Sequence, residues 1–245
     1  RKTIVIDPRM ATVDQDRSAD QKFLTLPNLE VPIADPDWVA TWNKLGERAS
    51  KVVSELDTWS EETFARDFAA ALPAGASLFI ASSRPIRDLE GFAKPREGVE
   101  VFANRGLAGI DGNVSTALGI ASRSEKTFAV LGDLAFLHDV SALSHTDNPD
   151  LRLFVIDNNG GGIFSTLPQA AVDGFEKIFG TPHGRDIHAI ATSFGVKTST
   201  ISTSAELAKV VAAPIKGFEI VVVQVPSRQA NGDYLKGIYA KMESL

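Results

Sequence analysis

The 245-residue sequence has no cysteine at all, which excludes disulfides and thiolate metal sites and fits a cytoplasmic protein. It has no excess of positive charge: 25 Lys and Arg stand against 31 Asp and Glu, for a net −6. Without a basic stripe, nucleic acid is not an expected partner. No apolar run approaches 18 residues, so no membrane span is expected. Internal repeats and low-complexity tracts are missing, as is a Gly-x-Gly-x-x-Gly opening a helix after an early strand, the mark of a dinucleotide site. There is no signal-peptide pattern, and the first residue is Arg1 rather than Met, so the natural N-terminus is expected to lie upstream. With 44% hydrophobic residues, the length suffices for one sizeable domain and an appendage.

What is present concentrates between Asn104 and Phe164. Two apolar runs, Thr127–Leu131 and Leu153–Ile156, read as buried strands, and each ends in polar, Gly-rich residues: Gly132-Asp133 after the first, Asn158-Asn159-Gly160 after the second. Phe136–His145 has the spacing of a crossover helix between them. A strand–helix–strand crossover makes the strands parallel and puts their C-terminal ends on one sheet edge, where open α/β sheets bind ligands. Asp133 and Asn158 can therefore converge.

A carboxylate, an amide carbonyl and nearby backbone carbonyls are hard oxygen donors, suited to Mg²⁺ rather than zinc. Mg²⁺ shares its remaining positions with water and substrate phosphates. A phosphate beside Asp133 without a cation is disfavoured, since two like charges about 4 Å apart repel by roughly 4 kcal/mol at an effective dielectric near 20. Gly160–Gly162 lets backbone come close to such a ligand. Taken singly, the Gly-Asp is a common strand end and an Asn-Asn-Gly is more often a turn.

Along the rest of the chain, Lys2–Asp7 is a strand pattern, either an orphan from a preceding domain or an edge of the main sheet. Residues 8–35 read as a Pro-punctuated linker. A helix is predicted over Pro36–Leu56 with Asp35 as cap, and a second to Leu72, opened by a Thr58-x-x-Glu61 capping box. Ser77–Ala81 and Val99–Ala103 follow as strands, then a helix of small residues over Asn113–Ser122. Residues 165–184 form a long loop of the lid or binding kind. Asp186–Phe194, Val196–Thr200, Ser204–Ala213 and Glu219–Val225 alternate helix and strand, and Tyr234–Met242 is a terminal helix. Alternation of this kind predicts an α/β fold: a mostly parallel sheet of about six strands with helices on both faces. Arg105, after the Val99–Ala103 strand pattern, offers a planar fork for carboxylates or an ion pair with Asp111. His183 and His188 are read as structural or surface residues.

Gly132-Asp133 followed by Asn158-Asn159-Gly160 resembles the diphosphate-binding signature of thiamine-diphosphate enzymes. Within that superfamily, Arg105-Gly-Leu-Ala-Gly-Ile-Asp-Gly112 and Asn158-Asn-Gly-Gly-Gly-Ile-Phe164 are similar to the MenD family, whose members join a succinyl group derived from 2-oxoglutarate to isochorismate in menaquinone biosynthesis. The resemblance implies a diphosphate-binding domain over residues 36–245, preceded in residues 1–35 by the end of a central domain, with no pyrimidine-binding domain in the chain. It implies thiamine diphosphate with Mg²⁺ or Mn²⁺ as cofactors, the cation on Asp133, Asn158 and Gly160. The cofactor would meet Gly109, Ile110, Gly132, Asp133, Leu134, Asn158, Gly160, Gly161, Ile163, Phe164 and Leu167; for the last three, ordinary packing is the alternative. Ser83, Arg87 and Arg105 would face the acidic substrates, and Ile110 would support the thiazolium ring. A second subunit of a homo-oligomer is the implied partner.

In such enzymes a glutamate of the pyrimidine-binding domain activates the cofactor, and no acid or base here plainly replaces it. No catalytic residue is therefore assigned, and these 245 residues alone are expected to be catalytically silent. Two other readings stay open: a carboligase of the acetolactate-synthase kind, which would need Asp133 and Asn158 but not Arg87 and Arg105, and a binding or oligomerisation module without enzymatic activity.

Overall fold

A computed structural model describes residues 2–9, 17–28, 33, 35–104, 106, 109–144 and 149–244. The chain divides into two compact units, Arg1–Leu45 and Gly46–Leu245. In the first, β1 (Ile4–Ile6) pairs in parallel with β2 (Gln21–Phe23) as a separate two-stranded sheet. The strand expected in isolation thus has a partner, which lies inside the stretch read as linker. Helix α1 (Pro36–Ser54) opens as predicted: the Asp35 carboxylate accepts from the Asp37 N–H at 2.9 Å. Its early apolar positions are exposed, Trp38 and Trp42 included, and only Val53 is buried.

The second unit is a six-stranded parallel sheet in the order β4-β3-β5-β6-β8-β7. The strands are β3 (Ala76–Ile80), β4 (Val99–Phe102), β5 (Thr127–Gly132), β6 (Leu151–Asp157), β7 (Lys197–Ile201) and β8 (Phe218–Gln224). Successive side chains of a strand point to opposite faces, and here both faces are apolar. Ala129, Leu131, Leu153, Val155, Ile220 and Val222 pack on one side, with α4 (Asn113–Ala121), α5 (Asp133–His138) and α6 (Ile187–Ser193). Phe128, Val130, Phe154, Ile156, Val221 and Val223 pack on the other, with α2 (Glu61–Ala71), α3 (Arg84–Phe92) and α7 (Ser204–Ala212). Strands buried on both faces read as continuous apolar runs, which is why β5, β6 and β8 were legible as strands.

Three local expectations fail for identifiable reasons. Helix α2 starts two residues later than a Thr58 box requires: Ser60 is the cap, its Oγ accepting from Thr63 N–H at 3.2 Å while Thr63 Oγ1 accepts from Ser60 N–H at 2.7 Å. Glu61 is left free for another role. The crossover helix begins at Asp133 and stops at His138, followed by a short 3₁₀ stretch, Val140–Ser144. The last helix, α8 (Arg228–Glu243), starts six residues before the predicted Tyr234 because Ser227 caps it, accepting from Ala230 N–H. Residues 165–184 hold only short turns, Pro168–Ala171 and Glu176–Gly180 among them. Among the described residues no helix is long and apolar enough to cross a membrane.

Candidate cofactor and cation site

The sheet order reverses between β3 and β5, so the crevice at their C-terminal ends is a topological switch point. Gly132, the last residue of β5, is in register with Ile156 of β6. Asp133 and Asn158 therefore lie just beyond adjacent strand ends, on the side where chain connections leave the sheet. The register accounts for their proximity.

Asp133 is 2% exposed and fully engaged. Its Oδ1 accepts from Leu134 N–H at 2.6 Å, and its Oδ2 accepts from Gly160 N–H at 2.8 Å and lies 3.1 Å from His183 Nε2. Burial raises its pKa, against the opposing pull of the His183 bond and the two N–H groups. Asp133, Asp157 and His183 each offer a ligand atom, all within 4.8 Å of one another, an arrangement able to hold a metal ion. The Nδ1 of His183 accepts from Arg185 N–H at 2.9 Å, so the ring carries its hydrogen on Nε2 and donates it to Asp133.

Asn158 supplies the second oxygen. Its Nδ2 donates to Glu61 Oε1 at 2.7 Å, which leaves Oδ1 buried and without a hydrogen-bond partner. Buried amide oxygens are nearly always paired, and an orphan of this kind fits a cation ligand. The glycines around it are needed for space. At Gly160, where φ is 132°, an added Cβ would collide with the Gly180 carbonyl oxygen; at Gly161 it would meet that of Phe179, and at Gly162 the Asn158 amide itself.

Beneath the crevice lies a charged cluster. Arg84, the first residue of α3, is buried among Glu61, Glu62 and Asp88: its Nη2 is 2.6 Å from Glu62 Oε1 and 3.0 Å from Asp88 Oδ1, and its Nε is 3.0 Å from Glu61 Oε2. Burial alone would lower the Arg84 pKa, but the three carboxylates outweigh it and raise it. Burial likewise raises Glu61, and pushes Asp88 up to about 8. Ser83, just before this anchor, is held at φ 76°, a region costly for a residue with a Cβ.

Of the sequence-predicted residues, Ser83 and Arg87 are brought together: Arg87 Nη1 donates to the Ser83 carbonyl at 2.9 Å, and the arginine is exposed. Ile110 is 42% exposed, its carbonyl accepting from Asn113 Nδ2. Gly109 sits against the carboxylate of Asp111. Gly132 and Leu134 are half-buried beside Asp133, Ile163 and Phe164 are half-buried, and Leu167 is exposed. Phe164 packs on Phe179, ring centroids 5.3 Å apart. Arg105 lies outside the described residues. His183, read as structural or surface, lies against Asp133 at the candidate site. Glu61, Arg84 and Asp157 were missed as well. Acidic residues are ordinary in a first helical turn, so Glu61 carried no signal, whereas Asp157 stands one position before Asn158 and could have been suspected.

Residues 88–225 match the family model for the thiamine pyrophosphate enzyme, C-terminal TPP binding domain. The chain belongs to the thiamine pyrophosphate enzymes. Curated relatives are similar as well. A 2-succinyl-5-enolpyruvyl-6-hydroxy-3-cyclohexene-1-carboxylate synthase from Saccharopolyspora erythraea is 41% identical over 71% of this chain and 33% of its own length. The enzyme of that name from Myxococcus xanthus is 45% identical over 76% and 33%, and that from Lysinibacillus sphaericus 35% identical over 91% and 41%. The chain thus spans between a third and two-fifths of these relatives. A solved structure of a proposed thiamin diphosphate-dependent enzyme from Mycobacterium smegmatis is 22% identical, with a TM-score of 0.49, over 69% of this chain and 32% of that one.

Proposed function

We propose that this chain is the diphosphate-binding portion of a synthase of the type its relatives are named for, one that decarboxylates 2-oxoglutarate and adds the remaining succinyl unit to isochorismate. In this reading residues 36–245 are the diphosphate domain, and residues 1–35 end a preceding one. The cofactor is thiamine diphosphate with Mg²⁺ or Mn²⁺, in a homo-oligomer.

The observation that carries the reading is the pairing of Asp133 with the orphaned Oδ1 of Asn158 at adjacent strand ends. Asp133, Asn158 Oδ1 and the Gly160 carbonyl would hold the cation, and the tight glycine run at 160–162 would bring backbone up to the diphosphate. Thiamine diphosphate supplies the electron sink for decarboxylation when bound. The protein residues do the placing. Arg87, exposed and oriented by the Ser83 carbonyl, offers a guanidinium to substrate carboxylates. Ile110 and Leu167, both exposed, and Ile163 and Phe164, half-buried, present apolar surface for the cofactor rings.

Calorimetric titration of thiamine diphosphate into the protein at its full natural length, with Mg²⁺ and then with EDTA, tests this. Binding that requires both the cation and Asp133, as judged with Asp133→Ala, is expected. No cation-dependent binding would overturn the assignment.

A further inference from the structure

Glu61 has no part in the reading above, yet among the described residues it is the side chain that hydrogen-bonds the Asn158 amide. It is 1% exposed, sits at the first position of α2, and lies ninety-seven positions from Asn158 in sequence. Its Oε1 accepts from Asn158 Nδ2 at 2.7 Å, its Oε2 is 3.0 Å from Arg84 Nε, and its backbone N–H donates to Asn231 Oδ1 at 3.2 Å. The first two contacts hold the carboxylate between Asn158 and Arg84, and the third holds the helix end that carries it.

We propose that Glu61 is a positioning residue that decides which end of the Asn158 amide is offered to the cation. An amide has two ends of nearly equal shape, of which only the oxygen can ligate a metal. With its Oε2 against the Arg84 guanidinium, the Glu61 carboxyl group accepts at Oε1, so it takes the NH₂ end and leaves Oδ1 for the ion. Gly162 leaves the room the amide needs, because a Cβ there would strike Asn158 Nδ2. Groups that orient a metal ligand through its second hydrogen-bonding atom commonly change metal affinity by 10- to 100-fold when removed. Arg84 holds the other oxygen of Glu61 and precedes the Arg87 turn of α3. The same carboxylate therefore ties the cation-binding strand end to the helix that carries Ser83 and Arg87.

This rests on the reading that Asp133 and Asn158 hold a divalent cation, and the experiment separates the two. The readout is Mn²⁺ affinity, followed by the paramagnetic resonance of the free ion, in the full-length protein with saturating thiamine diphosphate. Asp133→Ala should abolish tight binding; if it does not, the cation reading itself fails. With that established, Glu61→Ala should weaken Mn²⁺ at least tenfold. Asn231→Ala, which frees the same helix end without touching the amide, should change thermal stability but leave Mn²⁺ affinity within about threefold. Equal Mn²⁺ affinities for Glu61→Ala and wild type would overturn the proposal.

A reversal of hydrogen-bond polarity guards against a variant that fails to fold. Asn158→Asp sets two carboxylates against each other, and adding Glu61→Gln restores a donor across the contact. The double variant should bind Mn²⁺ at least tenfold more tightly than Asn158→Asp alone. No recovery would count against an orienting role.

Discussion

His183 Nε2 donates its hydrogen to Asp133 Oδ2 across 3.1 Å, fifty positions away in sequence, while its Nδ1 is committed to Arg185 N–H. While it makes this bond the ring is a donor rather than a metal ligand, so it competes for the carboxylate oxygen that a cation would use. Losing one such hydrogen bond is worth about 0.5–1.5 kcal/mol, which is roughly two- to tenfold in affinity. His183→Ala is therefore expected to tighten Mn²⁺ binding by that factor in a direct binding titration. Weaker binding in the variant would show instead that the histidine serves the cation.

Asp88 gives a pH dependence whose sign is fixed by its surroundings. Burial, with the nearby Glu61 and Glu62 charges, outweighs Arg84 and pushes its carboxyl up to about 8. The folded chain then holds this proton more tightly than the unfolded chain, so the stability it contributes is complete below about pH 4 and is lost as pH rises towards 8. Urea unfolding between pH 5 and 8 should show wild type losing more stability than Asp88→Asn, which cannot titrate. Parallel curves would contradict the assigned shift.

The framework was readable because it depends on runs of residues, while much of the site depends on register and three-dimensional contact. Phe128–Leu131 and Leu153–Ile156 are apolar at every position, which suits strands covered on both faces. The Gly-Asp and Asn-Asn-Gly ends followed from where those runs stop. Glu61, Arg84 and His183 could not be found that way, because each joins the site across long stretches of chain: ninety-seven positions for Glu61 and Asn158, twenty-two for Arg84 and Glu62. The misplaced cap of α2 has a local cause. Thr58 and Glu61 have the right spacing for a capping box, but Ser60 and Thr63 form the box two residues later, satisfying each other's N–H groups just before the buried Phe64 and Phe68.

Gly160 is both tight and strained. Its φ of 132° is a region where side chains are strained, and a Cβ there would run into the backbone of Gly180 and Thr181, which cannot swing aside as a flexible side chain could. Strain and overpacking together suggest about 3 kcal/mol for Gly160→Ala, or roughly 6–12 °C in a chain of this size. Thermal unfolding checks it. A shift under 2 °C would mean that the turn at Glu176–Gly180 yields readily.

Arg87 separates substrate recognition from folding. It is exposed, and its side-chain hydrogen bond among the described residues is to the carbonyl of Ser83, so Arg87→Ala should leave thermal stability within about 2 °C. Cofactor binding should be equally unaffected, because Asp133 and Asn158 remain. If its guanidinium receives a substrate carboxylate, the loss of a charge-assisted hydrogen bond, about 1.5–3 kcal/mol, should lower kcat/KM by at least tenfold in the full-length protein. Arg87→Lys should recover part of this, since it keeps the charge but lacks the planar fork. Steady-state rates with 2-oxoglutarate and isochorismate, each varied in turn, show which substrate the arginine serves. Unchanged kinetics for both would remove Arg87 from substrate recognition and favour a carboligase with a smaller 2-oxo acid substrate, which has no second carboxylate for an arginine at this position to meet.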